Sequence, residues 1–306
     1  MLKVTAQVYD TQVYDMKMKL VVLLFSTALI CGLIGGCISP EERLRGQEQE
    51  SDEPMQMMQI IVSILPQKEF VERIGGEKVA VTVMVPPGAS PTTYEPSPGQ
   101  LQGVSRAKLY VRIGHIPFEK AWMEKIESAN SGMQVVDSSE GIEIIGNNPH
   151  IWLSPALART QVEHISDALI EIDPDNSEYY ARNKEDYLKD LSDLDEDIRN
   201  NLSGIKNRKF MVYHPAWGYF ARDYQLEQVP IEIEGKEPSA SDLMRLIDTA
   251  RANNITAVFA APQFNSESAE VIADEIGGTV VFIDPLAKDY TANMRAVSAA
   301  FARYLT

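Results

Sequence analysis

The chain has 306 residues, 44% of them hydrophobic and 24% charged, which is enough apolar content to bury a core and too much for a disordered chain. That length allows one large domain or two of ordinary size. A net charge of −16 at pH 7 argues against nucleic acid as a partner, because its phosphates call for a basic face.

Residues 1–37 read as a leader. From Met16, "MKMKLVVLLFSTALICGLIGGC" runs from a basic start through an apolar centre to small residues before Cys37, the order of a secretory signal peptide. "LIGGC" reads as a lipobox, whose cleavage would leave Cys37 as a lipid-bearing N-terminus; an uncleaved single membrane anchor is the alternative. Either arrangement holds the rest outside the cytoplasm, on the periplasmic or extracellular face of the membrane. "MLKVTAQVYDTQVYD" precedes the better translation start at Met16. Both cysteines, Cys31 and Cys37, fall in this leader, so a metal site beyond it must use nitrogen and oxygen. The polar stretch 38–56 reads as a tether.

Beyond the tether the pattern alternates. "QIIVSIL" and "KVAVTVMV" read as strands around the helical "QKEFVERIGG". A Pro-rich loop, "PPGASPTTYEPSP", leads to helix "QLQGVSRA", strand "KLYVRIG", helix "PFEKAWMEKIES" and strand "MQVVD". The alternation resumes at "KFMVY" and passes through "VPIEI", a helix capped by Ser239 and Asp242, "ITAVFAA", "SESAEVIADEIGG", "TVVFID" and a closing helix. The expected fold is therefore α/β: two Rossmann-like lobes with mostly parallel sheets, 57–175 and 205–306. Between them, 176–204 carries Leu188, Leu191, Leu194, Ile198 and Leu202 at helical spacing in a highly charged context. That predicts one helix of roughly 40 Å, long for a packing element and suited to a rigid strut between lobes, with a coiled-coil dimer as the alternative.

Four histidines are available, His115, His150, His164 and His214. His214 follows the strand "KFMVY" and Asp284 ends the strand "TVVFID"; carboxyl ends of parallel strands open onto the ligand crevice. Packing of His214 on Trp217, or capping by Asp284 before Pro285, would account for either residue without a ligand. His150 is presented stiffly between Pro149 and Pro155. His115 also leaves a strand end, whereas His164 lies on a helix surface. Two imidazoles and a carboxylate (His150, His214, Asp284) suit zinc, manganese or ferrous iron. The same set would serve a metal-dependent hydrolase, but the chain has no HExxH, no GxSxG and no Gly-rich phosphate loop.

Six motifs in order, "PPGASPTTYEPSP", "NPHIWLSP", "YHPAWGYFARDY", "EGKEPSASDL", "PQFNSESAEVIADEIGG" and "VVFIDPLA", resemble the solute-binding lipoproteins of zinc and manganese ABC importers, over about residues 58–306. The resemblance implies two α/β lobes joined by a long helix with the metal between them, no catalysis, a monomer, and an ABC permease with its ATPase as partners. Zinc is the expected cargo, then manganese or iron. By position, His150, His214 and Asp284 fall on the family's ligands, but its leading histidine falls on Thr92. A water held by Thr92, Glu95 from the same loop, or His115 would each fill that vacancy, and a three-ligand site completed by water is the expectation. Ala261 stands where the family often has Glu, and "GIEIIGNN" lacks the His-rich loop of many zinc-selective members. A chelated metal or an oxyanion as solute, or an adhesin role, are the remaining readings. Because imidazoles bind metal unprotonated, affinity is expected to fall below about pH 6.5.

Overall fold

The computed structural model describes residues 57–305 apart from Glu234. The leader 1–37 and the tether 38–56, with the signal peptide and Cys37, lie outside the described residues.

The N-terminal lobe runs β1 (Met58–Val62), α1 (Leu65–Gly75), β2 (Val79–Val83), α2 (Pro98–Val104), β3 (Leu109–Arg112), α3 (Pro117–Ala129) and β4 (Gln134–Asp137). Its four strands are all parallel, in the order β2-β1-β3-β4. The register sets Ile60 beside both Val81 and Leu109. Ile60, Val62, Leu109 and Val111 are fully buried, as near-continuous β-branched runs require in a sheet covered on both faces.

Two helices follow, α4 (Pro155–Ile172) and α5 (Ser177–Leu202), before the second lobe repeats the first. That lobe comprises β5 (Lys209–Val212), α6 (Gly218–Asp223), β6 (Glu227–Pro230), α7 (Ala240–Ala252), β7 (Ala257–Ala260), α8 (Glu267–Glu275), β8 (Thr279–Phe282) and α9 (Tyr290–Tyr304). Its order, β6-β5-β7-β8, is the same arrangement, again all parallel. Ser239 caps α7 through a reciprocal pair: its Oγ accepts the Asp242 N–H at 3.3 Å, and the Asp242 carboxylate accepts the Ser239 N–H at 3.0 Å.

At 26 residues α5 is about 39 Å long. Its inner face is longer than the leucine spacing alone suggests, because Tyr180 and Tyr187 are buried along with Leu191, Leu194, Ile198 and Leu202. The helix packs on α1 and α4 from one side of the molecule and on α9 from the other. It is thus a packing element as well as a connection: one continuous core runs from Ile60 and Phe70 through Leu191 and Leu194 to Phe210, Phe259 and Phe301. Phe301 sits 4.7 Å, centroid to centroid, from both Phe210 and Phe259. A smaller core, including Met211, Ile231, Val258 and Ile272, fills the other face of the second sheet.

In each sheet the strand order reverses beside the central strand, between β1 and β3 and between β5 and β7. Loops leaving the carboxyl ends there flank the crevice where open α/β sheets take ligands. His115 follows β3, and His214 follows β5.

Candidate functional site

His214 is held from three directions. The Tyr213 N–H extends the sheet by donating to the Phe259 carbonyl at 2.8 Å, which fixes the backbone one residue earlier. The Nδ1 of His214 lies 2.9 Å from Oε1 of Glu232, a buried carboxylate at the end of the adjacent β6. The Phe264 ring stacks on the imidazole, with centroids 4.5 Å apart and planes 24° apart.

His150 arrives on the long loop after β4 and opens a single helical turn, Ile151–Leu153. Asn148 Oδ1 accepts the backbone N–H of His150 at 3.1 Å and lies 2.6 Å from its ring Nδ1. The second lobe braces this loop. Tyr219 Oη accepts the Ile145 N–H and donates to the Asn148 carbonyl, each at 3.0 Å. The indole N–H of Trp152, a fully buried side chain, donates to the Pro285 carbonyl at 2.7 Å.

The two imidazoles meet with Nε2 atoms 3.2 Å apart. An amide oxygen that takes a backbone N–H is an acceptor, so the Nδ1 of His150 is the donor in its bond to Asn148. An ionised Glu232 makes Nδ1 of His214 a donor likewise. With Nδ1 engaged on both rings, the Nε2 atoms are left to face each other, and a neutral ring presents there a lone pair that a cation could take. Burial, and secondly the neighbouring His214, hold the His150 imidazole well below its usual pKa, so at neutral pH it keeps that lone pair free. Carboxylate or amide acceptors behind Nδ1 are the usual support for metal-binding histidines.

The pair forms one wall of a cavity of about 380 Å³, which Thr92, His115, Phe264 and Leu286 also line. Thr92 is exposed, and its N–H donates to Ser90 Oγ at 3.3 Å. Glu95 is exposed on the same loop and does not line this cavity. Asp284 lines a neighbouring cavity of about 490 Å³; its Oδ1 accepts from Gln263 Nε2 at 2.6 Å and from the Leu286 N–H at 2.8 Å. Leu286 lines both cavities. His164 stands elsewhere, with Nδ1 3.3 Å from the Ser138 carbonyl. Among the described residues no three His, Cys, Asp or Glu are close enough together to hold one ion. The structure therefore brings His150 and His214 into contact, sets His115 and Thr92 on the same cavity, and leaves Asp284 one cavity away.

Gly218 shows how tightly Asn148 is seated. A Cβ on Gly218 would come within 2.7 Å of Asn148 Nδ2, so Gly218→Ala must displace the amide that orients His150. Loss of an orienting partner typically costs about 10–100-fold in metal affinity. Calorimetric titration of G218A with zinc is expected to show a loss at the lower end of that range, because the amide is the movable end of a side chain.

The family described as "ZnuA: Zinc-uptake complex component A periplasmic" matches residues 60–304. The high-affinity zinc uptake system protein ZnuA of Bacillus subtilis is 29% identical over 252 residues, covering 75% of this chain and 78% of its own. The manganese-binding lipoprotein MntA of Halalkalibacterium halodurans is 28% identical over 270 residues, covering 85% and 87%. A crystal structure of ZnuA superposes with a TM-score of 0.80 at 47% identity, covering 82% of this chain and all of that one (100%). With the match spanning both lobes and the helix between them, the chain belongs to the ZnuA family of periplasmic zinc-uptake components.

Proposed function

We propose that this protein captures a divalent transition-metal ion outside the cytoplasm and delivers it to an ABC permease and its ATPase, with zinc the principal cargo and manganese the next. The observation that carries the reading is the His150–His214 pair, with Nε2 atoms 3.2 Å apart and both Nδ1 atoms engaged. Two imidazoles bound to one tetrahedral zinc at about 2.0–2.1 Å have their nitrogens about 3.3–3.4 Å apart, the edge of that tetrahedron. The pair is thus spaced for a shared ion. Asp284 supplies the carboxylate once it leaves Gln263 and Leu286, an exchange of two hydrogen bonds for a metal bond.

The role we read is binding rather than catalysis, in keeping with the family of zinc-uptake components that the chain matches. The protein works as a monomer, anchored to the membrane through the N-terminal segment that carries Cys37. Ion capture across the crevice would fix the angle between the lobes, and the permease would read that state.

To test this, the purified protein is stripped of metal and dialysed against equal zinc, manganese and iron(II), beside a His150→Ala/His214→Ala variant. Elemental analysis is expected to find about one ion per chain, mainly zinc, in the wild type and none in the variant. Equal metal content in the two proteins would overturn the assignment.

A further inference from the structure

We propose that His115 is the remaining ligand, supplying from the N-terminal lobe the imidazole that the loop after β2 does not provide. This rests on the metal-capture reading above. His150, His214 and Asp284 amount to three protein donors, whereas zinc sites held wholly by protein take four. On the N-terminal side of the cavity, Thr92 offers a neutral hydroxyl, a poor donor to a divalent transition metal.

His115 lines the same cavity as Thr92, His150 and His214. Its half-buried ring has no hydrogen-bond or ion-pair partner among the described residues, whereas His150, His164 and His214 each have a ring nitrogen engaged. Its backbone, by contrast, is tied down. Gly114 has φ +90°, in the left-handed region, and a Cβ there would stand 2.7 Å from the Asp137 carboxylate, so only glycine makes this turn. The buried Glu119 carboxylate takes the N–H groups of Ile113 at 2.8 Å and Gly114 at 2.6 Å and also accepts from Ser63 Oγ. A buried carboxylate is costly unless well satisfied, and here its hydrogen bonds fix the two residues that aim His115. The backbone is rigid and the side chain is free, which suits a ligand that swings from the cavity wall onto an ion already held by His150 and His214.

The test compares zinc affinity by competition with a chromophoric chelator, and the number of bound imidazoles by X-ray absorption, in wild type, His115→Ala and His214→Ala. Because the His115 ring has no partner, the metal-free H115A variant should unfold at the wild-type temperature. The expected result is a loss of about 10²–10³-fold in affinity for H115A, with the imidazole count falling from three to two. Wild-type affinity and an unchanged count in H115A, with binding lost in H214A, would overturn the role of His115 and leave metal capture standing. Failure of the wild type to bind zinc would overturn both.

Discussion

His214→Ala is expected to weaken zinc binding by about 10²–10³-fold in an isothermal titration of the metal-stripped protein. Four-ligand zinc sites in small folded domains carry about 10–16 kcal/mol, so one ligand accounts for about 2.5–4 kcal/mol. His214 stands at the upper end of that range, because its replacement disturbs two other groups. Glu232, buried at 8% exposure, would lose the Nδ1–H partner that satisfies it, and Phe264 would lose the ring it stacks on. A second variant separates these contributions. Glu232→Gln keeps the imidazole and should cost only about 10–100-fold, the usual effect of an orienting partner. Equal losses in the two variants would mean that His214 acts through packing rather than as a ligand.

The second large effect concerns Glu119 and stability. Burial raises its pKa from the ordinary 4.5 to about 7; hydrogen bonds from Ser63, Ile113 and Gly114 pull it down, and the charge on Asp137 adds to the rise. Between those two values the folded protein holds a proton that the unfolded chain has released. Stability from this group is therefore fully present below about pH 4.5, falls as pH rises, and levels off above about pH 7. At about 1.4 kcal/mol per pKa unit, the fall is about 3 kcal/mol. Glu119→Gln cannot titrate, so wild-type stability minus variant stability should decline by about that amount from pH 4.5 to 7.5 in urea unfolding of the metal-free protein. A constant offset of about 1–3 kcal/mol is also expected, since the Gln amide puts an NH2, which cannot accept, in place of one of the two oxygens that take the Ile113 and Gly114 N–H groups. His150, held well below its usual pKa, contributes the opposite slope as pH falls below 6.5, but equally in both proteins. A difference independent of pH would contradict the account of Glu119.

The alternation of apolar runs with amphipathic helices is enough to read two parallel α/β lobes, because parallel strands covered on both faces leave a strong local signature. The long helix was legible in length but not in role. Leucine spacing defined its stripe, while Tyr180 and Tyr187, embedded among charges, gave no sign that they complete a core shared by the two lobes. At the site, His150 and His214 could be picked out from their strand-end and Pro-braced positions, and the structure sets them in contact. Their supports could not. Asn148 looks like a turn residue in "NNPH", and Glu232 is one acid in the run "VPIEI"; which ring each one holds depends on loops that meet only in the folded protein. A lone acid in an apolar strand end was the available signal for Glu232, since buried carboxylates require partners. Glu119 was hidden in the same way, on the buried face of a charged helix. Asp284 follows its strand as read from sequence, yet local hydrogen bonds to Gln263 and Leu286 decide where its carboxylate points.

Metal capture as proposed places one ion between the two imidazoles. Anomalous diffraction at the zinc edge, from crystals of the zinc-loaded protein, tests it most directly. A single peak is expected about 2.0–2.1 Å from Nε2 of both His150 and His214. A peak elsewhere on the molecule, with those two nitrogens still 3.2 Å apart and no ion between them, would contradict it.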